Sequence, residues 1–448
     1  MRHLEQLALT APWIGHEHAA ELAVISELLD AQPRLAALIE QDLLAACPRN
    51  PRTGRPGLTG DQALRITVAR QLNGWTYAEL EFHLADSGSY RTFCRVGSFG
   101  PAPSKSALAA NLRRVRPQTL AKLNALLVTS EAARKVETGR RVRIDSTVVP
   151  VAIHHPTDSS LLHDSVRVLL RLLHRAEHLA GFTAYHGHMK RVKRRAIEIQ
   201  HLAPQATGPR RAAYRELLGL TQATADYASY ALAHVEELPA TRALRRLSRQ
   251  LAETLPLVAH VIAQTTCRVV HEELVPAPEK LVSLFETHTD VIVKDRRETY
   301  YGHKIFLTGG ASGLILDCAI PKGNPADSTW TVPMLVRQST LFGRPPRQAS
   351  FDGAFASVDN LAAAKDLPVR DVCFSKKRGL AVLDMVKSSW VYRKLRDFRA
   401  GIESGISLLK RVFGLARCIW KGAVGFHSYV RAAVLTANLL TLARHRLA

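Results

Sequence analysis

Three acidic residues stand far apart in this chain, each in a local setting suited to holding a metal ion: Asp145 in RVRIDSTVV, Asp352 in RQASFDGAF and Glu403 in FRAGIESGISLLKRVFG. The first two follow short apolar runs that read as strands, and the third lies inside a helical pattern. Hard divalent cations such as Mg²⁺ take a few carboxylates together with water and phosphate oxygens. Two such ions about 4 Å apart activate the attacking oxygen and stabilise the leaving one in phosphodiester displacement. The chemistry these acids suit is therefore metal-assisted cutting or transfer of a polynucleotide. The charge balance agrees: 61 Lys+Arg against 39 Asp+Glu leave a net +22, an excess that lowers free energy most against a polyanion.

Convergence of the three acids requires particular elements. A central strand must carry Asp145, a neighbouring strand must end at Asp352, and a helix must present Glu403 over the sheet. Around Glu403, Arg399 lies four residues before and Lys410 seven after, near one helical face. Ile402, Ile406, Leu409 and Phe413 form the adjacent apolar stripe that would seat the helix. Basic residues flanking a metal-binding acid can hold DNA phosphates; the plain alternative is an ordinary i, i+4 ion pair. Gly353, directly after Asp352, allows backbone or substrate to approach closely. Ser146 and Thr147 are either strand formers or partners of the Asp145 carboxylate. Lys376, Lys377 and Arg378 follow the last expected strand and are candidates to line a DNA channel.

At 448 residues the chain is long enough for two or three domains. Residues 1–138 read as short helices with tight turns. One amphipathic stretch breaks near Pro33; Thr59 and Asp61 both suit a cap before DQALRITVARQL; Thr76 with Glu79 suits a capping box; Ser104 suits a cap before KSALAANLRRVR. Arg113, Arg114 and Arg116 in that last segment are candidate phosphate contacts, with a solvated helix face as the alternative. The basic link CPRNPRTGRPGLTG joins two of these helices. From 139 to 160 the texture turns β-branched. Residues 161–277 are helical again, and strands resume from 278 with KLVSLFETHTDVIVK, YYGHKIFLTGG, GLILDCAI, RQASFDGAF and LPVRDVCFS before closing helices. TGGASG reads as a hairpin loop whose glycines allow positive φ. The expected organisation is one α/β domain, residues 139–160 and 278–448, interrupted by a helical insertion at 161–277 and preceded by an all-α DNA-binding domain. Two basic runs fall in the insertion, Lys190, Arg191, Lys193, Arg194 and Arg195, and then Arg242, Arg245, Arg246 and Arg249. Either run is a solvated face or a DNA backbone contact.

The six cysteines are scattered without zinc spacing and read as buried thiols, and the adjacent histidines His154 and His155 would face opposite ways on a strand. Trp420 is read as core in preference to a base-stacking ring. No run of 18 or more uncharged apolar residues occurs, and the N-terminal MRHLEQLALTAPWIGHEHAAEL carries acids where a signal peptide is apolar. The expectation is a soluble cytoplasmic protein with no membrane partner.

These residues resemble a known group. DSTVV followed by HPTDS, then FDGAF, then Arg399, Glu403 and Lys410 ahead of LKRVFGLARCIWKG, look like the DDE transposases of bacterial insertion sequences, in particular the group with a Tyr-x-x-Arg-x-x-x-Glu-x-x-x-x-x-x-Lys signature. WTYAELEFHLADSGSYRTFCRV is similar to their helical head. The signature tyrosine is Arg396 here, and Tyr392 is not a simple substitute. The resemblance implies a ribonuclease-H-like catalytic fold within a helix-rich mixed α/β protein. It implies Asp145, Asp352 and Glu403 as ligands of Mg²⁺, with Mn²⁺ as a substitute, and Glu403 as an aid to orienting the attacking water. It implies double-stranded DNA, both transposon ends and target, as partner and a homodimer in the synaptic complex. The activity implied is hydrolysis at transposon ends and attack of the freed 3′-hydroxyl on target DNA. It also places His154, His155, Thr157 and Asp158 near the active site. Two alternatives accompany it: a metal nuclease without strand transfer, and a transposase-derived DNA-binding protein whose catalysis has lapsed.

Overall fold

The computed structural model describes residues 16–46, 57–97, 100–203, 205–294 and 298–448. Most of the basic link, residues 47–56 with Cys47, lies outside them, as do Ser98 and Phe99. The chain forms two compact units, 1–152 with 303–448, and 153–302.

The first unit opens with α1 (Glu17–Asp30), α2 (Pro33–Ala45), α3 (Gly60–Asn73), α4 (Tyr77–Asp86), α5 (Gly88–Phe93), α6 (Lys105–Leu112), α7 (Pro117–Val128) and α8 (Glu131–Arg134). The expected caps are present: Thr59 and Thr76 form reciprocal capping boxes with Gln62 and Glu79, and Ser104 accepts from Ala107 N. Asp61 does not share the cap. Its carboxylate is drawn to the fully buried Arg65 at 2.9 Å and to Arg95 at 2.9 Å, while Arg65 also bonds Asp30 at 2.7 Å and Ser26 Oγ at 2.8 Å. A buried guanidinium needs that many acceptors to offset its desolvation.

After β1 (Arg141–Pro150) the second unit contains α9 (Asp158–Ala180), α10 (Met189–His201), α11 (Thr207–Glu237) and α12 (Arg242–Thr265), packed through Leu169, Leu173, Ala228 and Leu247, then β2 (Asp290–Lys294). The expected strand KLVSLFETHTDVIVK shrinks to β2 because local side chains take over the backbone before it. The Gln264 amide bonds both N and O of Leu281, and Ser283 Oγ accepts from Phe285 N and Glu286 N.

The chain continues through β3 (Glu298–Gly309), β4 (Ile315–Ala319), α13 (Thr331–Phe342), β5 (Gln348–Phe351), α14 (Val358–Asp366), β6 (Asp371–Phe374), α15 (Val382–Met385), α16 (Ser389–Arg411) and α17 (Gly422–Leu447). The strand order is β2-β3-β1-β5-β6, with β4 pairing β3. β3 and β4 are antiparallel, whereas β1, β5 and β6 run parallel. The fold is thus helix-rich mixed α/β, as expected. Helix α17 is buried along most of its length and packs on α1, α3, α7 and β4. Its Asn438 accepts from Ile315 N at 2.8 Å and donates to Ile315 O and to Asn124 Oδ1, both at 2.7 Å, so edge strand β4 finds its partners in side chains.

The TGGASG turn departs from expectation in one respect. Within it Gly313 has positive φ (+89°), while Gly310 serves close approach: a Cβ there would overlap the Glu137 carboxylate. Buried Glu137 accepts from Thr138 N (2.9 Å), Gly139 N (2.8 Å), Ser312 N (3.0 Å) and Ser312 Oγ (2.9 Å), tying the β3–β4 turn to the entry of β1. Four donors around one carboxylate make it a stability anchor. Glu137→Ala is expected to cost about 3 kcal/mol or more, read as a lowered urea midpoint at unchanged m; a midpoint shift under about 1 kcal/mol would show the anchor to be dispensable.

Candidate active site

Parallel pairing sets the first two acids side by side. Arg141, Val142, Arg143 and Ile144 of β1 register with Gln348, Ala349, Ser350 and Phe351 of β5. The next residue on each strand is the aspartate, Asp145 and Asp352, on backbones about 4.8 Å apart. Asp145 shares its face of β1 with Arg143, by the period of two.

Helix α16 lies on that face for local reasons. Ser388 caps it, accepting from Val391 N. Ser350 Oγ, fully buried, donates to Leu395 O at 2.6 Å, and Tyr392 Oη donates to Phe374 O at 3.0 Å. Tyr392 is therefore a pin between α16 and β6, while Arg396 is exposed. Ile402, Leu409 and Phe413 are buried as the stripe requires, and Ile406 is half-buried. Gly401 leaves room for Arg143, which donates to Phe398 O at 3.2 Å and stacks over the Phe398 ring.

This seating brings the third acid to the first two through one guanidinium. Arg399 Nη1 stands 3.3 Å from Asp145 Oδ2 and 3.9 Å from Asp352 Oδ1, and its Nη2 donates to Glu403 Oε1 at 2.7 Å. Asp145 and Arg399 are each 17% exposed, Asp352 40% and Glu403 62%. The i, i+4 pair of Arg399 and Glu403 is real, but the arginine bridges to both strand aspartates as well. Burial pushes the Asp145 carboxyl up to about 6, assisted by the neighbouring charges of Asp352 and Asp327 and opposed by the Ser146 backbone N–H and Arg399. For Asp352, burial pushes upward too, but hydrogen bonds from Gly353 N and Ser375 and the charge of Arg399 outweigh it, so its carboxyl titrates below the ordinary value. Two adjacent carboxylates are thereby split in acidity.

Several contributors carry no signature in the sequence. Asp327, in a 3₁₀ turn, accepts from Ser146 Oγ at 3.0 Å and from Lys304 Nζ at 3.2 Å, while Lys304 also bonds Pro325 O at 2.9 Å. Ser146 N in turn donates to Asp145 Oδ1 at 2.8 Å. Ser146 is thus a partner of the Asp145 carboxylate through its backbone, and Thr147 is buried. Ser375 Oγ donates to Asp352 Oδ1 at 2.9 Å. The only sequence signal for Asp327 is a short acidic turn, DSTW, with no period to mark it.

Other candidates fall as follows. A Cβ on Gly353 would stand 2.6 Å from Lys376 Cβ, so the space that glycine opens is filled by this lysine. Lys376 and Lys377 are exposed just past β6, and Lys377 Nζ lies over the Tyr392 ring. Lys410 is half-buried near the end of α16. Arg113 is exposed and Arg114 half-buried, whereas Arg116 is held by Asp42 at 2.5 Å. Trp420 is half-buried with Arg70 over its ring at 4.5 Å, so that face is occupied from within the protein. In the second unit His154 faces Asp164 at 3.6 Å, His155 meets the Tyr301 ring, Thr157 caps α9 and Asp158 pairs with Arg268 at 2.9 Å. Of the described cysteines, Cys94, Cys318, Cys373 and Cys418 are buried, and Cys267 is half-exposed.

A sheet that aligns two aspartates on parallel strands, under a helix supplying a glutamate and a bridging arginine, defines an α/β protein with a triple-carboxylate site. Its N-terminal region can be assigned further: residues 13–114, from the segment before α1 to just past α6, match the family model described as Transposase domain (DUF772). A transposase domain implies transposase function. No curated protein and no solved structure matches the chain. No helix among the described residues is long and apolar enough to cross a membrane.

The raised Asp145 carboxyl has a stability consequence. A carboxyl whose folded pKa exceeds its unfolded one contributes stability that is present below about 3.8 and lost as pH rises through about 6. At about 1.4 kcal/mol per pKa unit, ionised Asp145 costs the metal-free protein about 3 kcal/mol near neutrality. Asp145→Asn is therefore expected to raise Tm at pH 8 in a chelating buffer, with the gain vanishing by pH 4; equal Tm differences at both values would show that Asp145 is not destabilised by its surroundings.

Proposed function

We propose that this protein is a DNA transposase of an insertion sequence, in which Asp145, Asp352 and Glu403 hold Mg²⁺ for hydrolytic strand cleavage and 3′-hydroxyl strand transfer. The observation that carries this reading is the convergence of three carboxylates, from two parallel strands and one helix, on a single guanidinium. The order β4-β3-β1-β5-β6, with the first acid on the central strand, supports a ribonuclease-H-like arrangement. The N-terminal transposase domain supports DNA as the substrate.

The donor set suits a hard cation, since it consists of carboxylate oxygens with serine hydroxyls behind them. Among the described residues no three acids already stand in a metal-holding array. Arg399 occupies the space between them and stands in for the cation. When bound, Mg²⁺ would activate the attacking oxygen and stabilise the leaving one. The chain's own residues do the rest. Exposed Glu403 would complete the ligand set and help orient the attacking water. Arg399 would then be free for a DNA phosphate, whose two oxygens its planar fork suits. Lys376 and Lys377, past the end of β6, and Lys410 on α16 add phosphate contacts beside the cutting site, while Arg113, Arg114 and Arg116 serve the helical head. Lys304 fixes Asp327, which fixes Ser146, and the Ser146 backbone N–H holds Asp145 in one rotamer. Synapsis of two ends calls for two copies of the chain.

The test is incubation of the protein with the terminal inverted repeats flanking its coding DNA, a target duplex and Mg²⁺. Asp145→Ala, Asp352→Ala and Glu403→Ala are each expected to reduce cleavage on the order of 10³-fold; undiminished cleavage in all three would refute the assignment. Cleavage by the wild type without joined product would leave a nuclease in place of a transposase. Asp327→Asn is expected to weaken Mn²⁺ binding roughly 10- to 100-fold, measured by titration calorimetry without DNA, and unchanged affinity would remove Asp327 from the ligand support.

A further inference from the structure

The second unit carries a charge arrangement that its own folding does not explain. Helix α12 begins at the Thr241 cap, whose side chain accepts from Leu244 N, and its first two turns hold Arg242, Arg245, Arg246 and Arg249. These positions, i, i+3, i+4 and i+7, form one face, and all four residues are exposed. Leu244, Leu247 and Leu251 take the opposite, buried face. Among the described residues the one carboxylate within 4.0 Å of any of the four is Glu253, 4.0 Å from Arg249. The unit does not lack acids to pair with: Arg191 meets Glu216 at 2.9 Å, Arg195 meets Glu216 at 2.5 Å, and Arg268 meets Asp158 at 2.9 Å. Arg175 of α9 donates to Gln250, which places a further cation at the margin of this face.

Two electrostatic terms oppose this arrangement in the free protein. Like charges at i, i+3 and i, i+4 destabilise a helix by about 0.2–0.5 kcal/mol per pair. Cations in the first turn also face the positive end of the helix dipole, at about 0.3–1 kcal/mol each, and α12 has no acid in its first turn to relieve them. Both terms change sign when a row of anions lies along the face. The face is about 10 Å long, from seven residues at 1.5 Å each, which spans about three base steps of a duplex at 3.4 Å. Its chemistry also selects among polyanions. The apolar side of α12 is already used in the core, leaving none to enter a lipid surface. Residues 241–250 contain no aromatic ring to stack an unpaired base.

We propose that the arginine face of α12 is a duplex-DNA backbone contact, independent of sequence. Duplex DNA as partner rests on the transposase reading above; the surface itself rests on the exposed arginines, of which one has an acid within 4.0 Å. It is tested with the full chain in EDTA, where no cleavage intervenes, by measuring the affinity of a random-sequence 30-base-pair duplex by fluorescence anisotropy across a salt series. Removing one phosphate-binding cation lowers the slope of log K against log salt by about 0.9. Arg242→Gln, Arg245→Gln, Arg246→Gln and Arg249→Gln combined should therefore flatten the slope by about 2 to 4, and Tm should hold or rise because repulsion is removed. Arg191→Gln with Arg195→Gln, cations already paired, should leave the slope within about 1 of the wild type. An unchanged slope in the fourfold variant, with wild-type binding intact, overturns the surface alone. Wild-type protein that binds no duplex overturns the transposase reading with it. Weaker binding of single-stranded DNA or of anionic vesicles, with duplex binding unaffected, assigns the face to another partner and overturns the proposal.

Discussion

Three carboxylates of the first unit meet at one half-buried guanidinium, whose charge offsets their mutual repulsion. That guanidinium belongs to Arg399, and much of the packing around α16 follows from putting it in place. A guanidinium on α16 reaches Asp145 and Asp352 only if the helix lies close on the sheet, and the helix lies close only because of small or pinned residues at the contact. Gly401 admits Arg143, a Cβ on Gly309 would meet Ile402 at 2.7 Å, Ser350 bonds Leu395 O, and Tyr392 bonds the end of β6. The sheet contributes the complementary constraint. Parallel register between β1 and β5 sets both aspartates at one level, so that a single planar group can touch both.

The helical head is held to this site by buried polar contacts more than by surface pairs. Asn124 of α7, Asn438 of α17 and the edge of β4 satisfy one another in an enclosed network, and Gln71 of α3 donates to Phe413 O at 2.7 Å, at the end of α16. Enclosed amides of this kind penalise any shift of register, because a partner left behind would be a buried orphan. Position in the first unit is thus specified from the N-terminal helices through α17 and β4 to the helix that carries Glu403.

Legibility from sequence divides along the same physical lines. Elements written in local chemistry can be read: the caps at Thr59, Thr76 and Ser104, the break at Pro33, the apolar stripe of α16 and the strands leading to Asp145 and Asp352. The three acids are legible because each sits at a recognisable place in a periodic segment. What escapes depends on contacts between distant residues. Asp327 lies in a turn and acquires meaning only beside Ser146 and Lys304, which are 181 and 23 residues away. Gly310 reads as a turn glycine because the Glu137 carboxylate it accommodates is invisible locally. The strand expected from Lys280 gives way to the Gln264 side chain, a competitor for its backbone that no strand propensity registers.

The two settings in which arginine appears on these helices clarify one another. Arg399 is matched by acids of its own chain, so its charge is balanced within the fold. The carboxylates it joins differ in their surroundings. Asp352 and Glu403 face solvent more than Asp145 does, and burial pushes the Asp145 carboxyl up while hydrogen bonds and Arg399 hold that of Asp352 down. The α12 arginines stand at the other extreme, with one acid near one of the four. Where the fold supplies the counter-charge, an arginine's charge is balanced in place; where it withholds one, repulsion between like charges remains.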